Sequence, residues 1–263
     1  MRIVTRGQKI GVCNICGTHG PLTYDHIPPK GVSRLSQVAM MSIVDLLSVE
    51  RPRRSTRFSQ NGVKYQTLCK KCNNELLGLR YDPTLITLTK DIRLYLESTL
   101  YLPAQMGSKT RPNRLARCVV GHLLAHGVEG HRGGKLLQGL ADFFLDESLQ
   151  LPKELKLYYW VYPYNDQVII KGAGISMHYW NSFAIFMLLK FFPLSFFFVL
   201  NEPSSWRVPY SRLDTMLSGG IDDEANMSIA FTGLPPQRWP EAPGDTGIVL
   251  YGDGATSAVP RTP

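Results

Sequence analysis

An α+β protein is predicted, in which a small metal-stapled unit precedes a helical segment and a mostly antiparallel sheet. Three observations lead there. Two Cys-x2-Cys pairs lie within the first 80 residues. Apolar residues recur at helical spacing between about 84 and 144. From about 155 to 251, short aromatic and β-branched runs are bounded by Pro, Gly and Asn, as strands are. The chain's 263 residues suit one large domain or two small ones, and the division is placed after residue 80.

Composition narrows the classes. Hydrophobic residues make up 44% and charged residues 19%, enough apolar material for a core, which excludes general disorder. No Gly-x-y period, sustained heptad or biased tract appears, so collagen, coiled-coil and low-complexity readings fall away. The chain carries +8 overall, from 29 Lys and Arg against 21 Asp and Glu. Residues 1–135 hold 21 of those cations and 8 of the anions, so the positive charge is concentrated where the cysteines are. A basic first half that meets a polyanion, and an acidic second half with another task, is the expectation.

The elements follow in order. The stretch 35–49 has helical apolar spacing and is expected to be a short packing helix. A basic turn follows, with Arg51, Arg53, Arg54 and Arg57 before Phe58. Asp82-Pro83 signals a helix start, and a helix is expected over 83–100. Residues 103–114 read as a loop, and 115–126 and 135–144 as helices separated by a Gly-rich turn. Strands are expected over 155–162, 167–176, 183–189, 194–200, 227–232 and 247–251, with an otherwise irregular tail from 234. The run 182–200 approaches membrane-spanning length, but Lys190 and Pro193 fall in its middle. A central charge costs roughly 2.5–3.5 kcal/mol on insertion scales, so two buried strands joined near Pro193 are expected instead.

The cysteines carry the first chemistry. Cys13 and Cys16 form one knuckle, Cys69 and Cys72 another, and Cys118 is left over as a free thiol. Two such pairs can close a tetrahedral four-thiolate zinc site, with each sulfur about 2.3 Å from the ion. A redox pair is the rival, and two separated knuckles followed by Gly and Asn suit it poorly. No apolar leader follows Met1, so a cytoplasmic protein without an export signal is expected. His122 and His126 are spaced for one helix face, but no third metal ligand is evident and a packed pair is the plainer reading. Asp222-Asp223-Glu224 reads as a solvated acidic loop. The tyrosines and Trp160 within 158–164 read as sheet and core rather than a base-stacking platform.

Between the knuckles stands Asp25-His26-Ile27-Pro28-Pro29, and Cys72 is followed by Asn73-Asn74. With the knuckles, these elements resemble the HNH endonucleases, the ββα-metal nucleases, over roughly residues 10–80. The resemblance implies a two-stranded ribbon presenting Asp-His, faced by a helix across one divalent ion. It assigns Asp25 as a ligand of catalytic Mg²⁺ or Mn²⁺ and His26 as the base that deprotonates water. Asn73 becomes the second ligand, with Asn74 in reserve, and Asn61 the residue tying the loop to the ribbon. The family's last His is absent here, and Glu75-Leu76-Leu77 stands where many relatives carry Lys or Arg.

The chemistry suits these residue types. Hard oxygen donors hold a cation that neutralises phosphodiester charge, and an imidazole accepts a proton near neutral pH. Taken singly, an Asp-His pair is more often a loop hydrogen-bonding pair, and an Asn after Cys-x2-Cys a helix cap. The expectation is a phosphodiester hydrolase acting on DNA, with RNA open, gripping phosphates through Arg51, Arg53, Arg54, Arg57, Lys70 and Lys71. Defence against foreign DNA would suit such an enzyme. The alternatives are a zinc module that binds nucleic acid without cutting it, and a subunit of a larger assembly. Residues 81–263 are left to bind a partner, self-associate or gate the first part.

Overall fold

The computed structural model describes residues 3–32, 36–47, 56–98, 101–128, 133–178, 182–244, 247–252 and 255–261. In chain order the elements are β1 (Ile10–Val12), β2 (His19–His26), β3 (Val38–Ser42), α1 (Ile43–Leu47), β4 (Arg57–Ser59) and β5 (Lys64–Cys69). A π-wound helical stretch, Lys71–Tyr81, then runs directly into α2 (Asp82–Leu96). There follow β6 (Gln105–Thr110), α3 (Pro112–Ala125), α4 (Gly134–Leu145), β7 (Leu155–Val161), β8 (Gln167–Met177), β9 (Ser182–Phe191) and β10 (Leu194–Leu200). The last strands are β11 (Ser211–Arg212), β12 (Ala225–Ala230), β13 (Gly247–Tyr251) and β14 (Thr256–Pro260).

The chain is mixed α/β, and its described strand pairs are antiparallel. Three sheets form: β1-β2-β5, the pair β12-β6, and a nine-stranded sheet ordered β11-β7-β10-β9-β8-β14-β3-β4, with β13 also on β8. The middle of the large sheet, β7, β10 and the second half of β9, is buried on both faces. Leu157, Tyr159, Leu189 and Phe196 face the main core, while Trp160, Leu188, Phe197 and Val199 face a second cluster. That two-sided burial explains why 182–200 reads as a nearly unbroken apolar run. Its Lys190 is enclosed in protein, with Nζ 2.5 Å from Glu241 Oε1. Among the described residues, no helix is long and apolar enough to cross a membrane.

Three expected segments come out differently. The apolar stretch 35–49 is not one helix, because β14 and β4 pair with its Val38–Ser42 portion on either edge and leave only Ile43–Leu47 helical. Residues 105–110, expected as loop, form β6 because β12 supplies a ladder from far along the chain. The tail is not wholly irregular beyond β13: β14 inserts between β8 and β3. In each case a partner distant in sequence decides the conformation, which local pattern does not show.

Helix α3 lies at the centre. Every one of its residues except Arg114 is buried, as an element apolar nearly all round should be. Gly121 permits the close packing: a Cβ there would lie 2.5 Å from the Phe144 ring and 2.6 Å from Leu77. The main core is continuous from Cys13 and Ile15 through Leu77 and Val119 to Met227 and Ala258.

Candidate metal and nucleic-acid site

The four paired cysteines converge. Cys13 and Cys16 sit on the turn after β1, closed by Gly17 at φ 71° and by its N–H bond of 2.9 Å to the Cys13 carbonyl. Cys69 ends β5, and Cys72 lies in the first turn of the helix that follows. All four Sγ atoms lie within 4.8 Å of one another. Cys16 and Cys69 are 3.6 Å apart, close to the roughly 3.8 Å edge of a tetrahedron with zinc–sulfur bonds of 2.3 Å. A hydrogen bond from Cys72, with backbone N–H groups helping, holds the Cys13 thiol down at about 4 against the burial that opposes it. Thiolate character at Cys13 is what a metal ligand needs. The cluster could hold a zinc ion.

Strand β2 runs from this cluster to Asp25 and His26. It pairs with β5, with a bulge between Thr23 and Tyr24. Asn73, next to Cys72, reaches across and donates both amide hydrogens, to Thr23 Oγ1 and to the Tyr24 carbonyl, each at 2.8 Å. The helix start is thereby bonded to the strand beside the Asp25-His26 pair, and Asn73 Oδ1 remains outside these two bonds. Asn74 is exposed.

Asp25 and His26 meet different partners. His26 is half-buried, and its ring bonds to the backbone of Asn61, in the turn before β5. Burial first, then the charges of Lys30 and Lys64, push its pKa down to about 4, so at neutral pH the ring is uncharged and can accept a proton. Asn61 itself is exposed.

Asp25 is buried, and its Oδ2 lies 2.9 Å from His122 Nδ1 on α3. His122 Nε2 lies 3.0 Å from Asp82 Oδ1, to which the Cys118 thiol also donates at 3.3 Å. Burial opposes charge on His122, but the carboxylates of Asp25 and Asp82 outweigh it and raise the imidazole well above its ordinary value. Burial also pushes the Asp25 carboxyl upward. Two carboxylates on one ring decide the balance in favour of a cationic imidazole. Asp82, Cys118 and His122 are close enough together to qualify as possible metal ligands in their own right.

Sequence reasoning missed this network. Asp82 read only as a helix-start residue, and His122 only as half of a histidine pair. The available signal was the four-residue spacing of Cys118, His122 and His126 on one helix. The fifth cysteine is indeed a free, buried thiol, and His126 is buried against Tyr65 and Thr256.

The basic surface is described in part. Lys70 and Lys71 are exposed at the helix start, and Arg57 lies half-buried on β4. Arg51, Arg53 and Arg54 lie outside the described residues. The acidic loop is paired rather than simply solvated: Asp222 meets Arg80 and Arg114, and Glu224 meets Arg111 at 2.8 Å. Compared with known proteins, the chain matches no family model, no curated protein and no solved structure.

Proposed function

We propose that the chain is a divalent-metal-dependent nuclease of the HNH kind, with residues 10–80 as its ββα-metal part and DNA as its substrate. The observation that carries the reading is the pair of Asn73 bonds to Thr23 and Tyr24. They bring the residue after the second knuckle against the strand that bears Asp25 and His26. Strands β2 and β5 pair, and the helix from Lys71 follows β5 directly, although β3, α1 and β4 stand between the two strands in the chain.

The residues fit a hard ion by donor type, since Asp25 offers a carboxylate oxygen and Asn73 an amide oxygen. These two would hold Mg²⁺ or Mn²⁺, which would supply charge neutralisation for the phosphodiester. His26, uncharged at neutral pH and steadied by the Asn61 backbone, would take the proton from the attacking water. Lys70, Lys71 and the arginines of 51–57 would hold phosphates, with affinity that falls steeply as salt rises. The enclosure of Asp25 by His122 favours one rival, a zinc module that binds nucleic acid without cutting it.

A plasmid-nicking assay with Mg²⁺ or Mn²⁺ separates the two. Cleavage by the wild-type protein should be lost in His26→Ala, Asp25→Ala and Asn73→Ala. Binding without cleavage above the His26→Ala background would establish the rival. Cleavage that persists in both Asp25→Ala and Asn73→Ala would displace the site.

A further inference from the structure

One imidazole bridges two elements that the sequence separates widely. His122, with no exposed surface, stands between Asp25 on β2 and Asp82 at the start of α2. Its Nδ1 engages only one Asp25 oxygen, Oδ2, at 2.9 Å. Held through Oδ2 by a buried ring, and bonded as well by the backbone N–H of His26, the carboxyl has lost its rotational freedom. The backbone next to Asp25 is fixed as well, because the Asn73 amide holds the Tyr24 carbonyl. Asp82, bonded at once by His122 and by Cys118 one helical turn earlier, anchors the far side of the ring.

From this geometry we propose that His122 is a positioning residue for the divalent-ion site: it holds Asp25 by Oδ2 so that Oδ1 is presented to the ion. The inference rests on the nuclease reading's choice of Asp25 as a ligand. Hydrogen-bond partners behind a metal-binding carboxylate act in this way, fixing the ligand's orientation. Helix α3 would then contribute to a site whose ligands all lie before residue 80.

Two substitutions separate positioning from mere support. An Asn at 122 places its amide N–H near the former Nδ1 and can keep the bond to Asp25. A Gln places its amide near Nε2 and keeps Asp82 instead. Mn²⁺ binding, read from the electron paramagnetic resonance signal of free Mn²⁺, is measured on the full-length, zinc-loaded chain, with zinc content and circular dichroism as controls of folding. Wild type should bind Mn²⁺ in a manner abolished by Asp25→Ala. His122→Gln should weaken binding about 10- to 100-fold while His122→Asn stays near wild type.

Equal binding by wild type and His122→Gln would overturn the proposal, as would equal weakening in both His122 variants. No Asp25-dependent binding by wild type would overturn it too. Should both His122 variants fail to fold, Asp82→Asn, which leaves Nδ1 facing Asp25, must still bind Mn²⁺; loss of binding with the fold intact would refute the idea. Asp25-dependent binding without any cleavage would remove the nuclease reading and leave the positioning role standing. Cleavage with binding indifferent to His122 would do the reverse.

Discussion

His126 makes the chain's stability depend on pH in a way that one substitution isolates. Its ring is buried, stacks edge-on against Tyr65 at 4.9 Å, and shares a 3.0 Å hydrogen bond with Thr256. Burial first, then the charge of Lys171, push its pKa down to about 3. In the unfolded chain it titrates near 6.5. Between those values the unfolded state binds a proton that the folded state refuses, so stability falls as pH drops below 6.5. The limiting slope is about 1.4 kcal/mol per pH unit, and the accumulated cost between pH 7 and pH 5 comes to about 2 kcal/mol. His126→Gln removes the titration while keeping an amide near Thr256. Urea unfolding of the zinc-loaded proteins at both pH values provides the measurement. Carboxylates and cysteines that also titrate are common to both chains, so the difference between them reports position 126. Parallel losses of stability in the two proteins would refute the assignment of a neutral, buried imidazole.

Other positions make equally direct demands. Lys190→Met should destabilise the protein by about 3–5 kcal/mol in denaturant unfolding, because Glu241 is left buried without its partner. The double change with Glu241→Gln should recover most of that loss. Metal analysis should find one zinc per chain, and Cys72→Ser should reduce it; hydrogen exchange should then show lost protection in β2 and at the start of the following helix. Gly121→Val drives new atoms into Phe144 and Leu77, and its unfolding midpoint should fall by the equivalent of about 1–3 kcal/mol.

How much the sequence discloses depends on how far apart the interacting residues lie. The knuckles are legible because two thiolates at x2 spacing can both reach one ion, a relation local enough to show in the sequence. The β9–β10 hairpin is legible because Lys190 and Pro193 break an apolar run that would otherwise suggest a membrane span. Strands β3 and β6 are not, since β14 and β12 complete their ladders from more than a hundred residues away. The same holds at the candidate site. Asp25 and His26 stand out as a dipeptide beside the knuckles, but the residue that grips Asp25 is 97 positions distant. The four-residue spacing of Cys118, His122 and His126 marks a polar stripe on an apolar helix but not which carboxylate it will meet.

The wiring of α3 gives the long second part of the chain a physical task. The last carbonyls of a helix have no partners within it and must find them elsewhere. Here Asn14, from the first knuckle, donates to the Leu124 and Gly127 carbonyls. Thr67, on β5, donates to Ala125 at 2.7 Å, and Lys171, on β8, to Leu124 and His126. The cysteine-bearing turn, the strand paired with β2 and the large sheet therefore all hold the same helix end, one turn from His122. Any shift of the large sheet against the knuckles would strain these bonds and move His122 relative to Asp25. On this view the sheet acts as the frame that fixes the distance between α3 and β2. Lys171→Met should then loosen the end of α3 and raise hydrogen exchange at 122–126 without changing zinc content. Unchanged protection there would show that the sheet does not hold the helix through this contact.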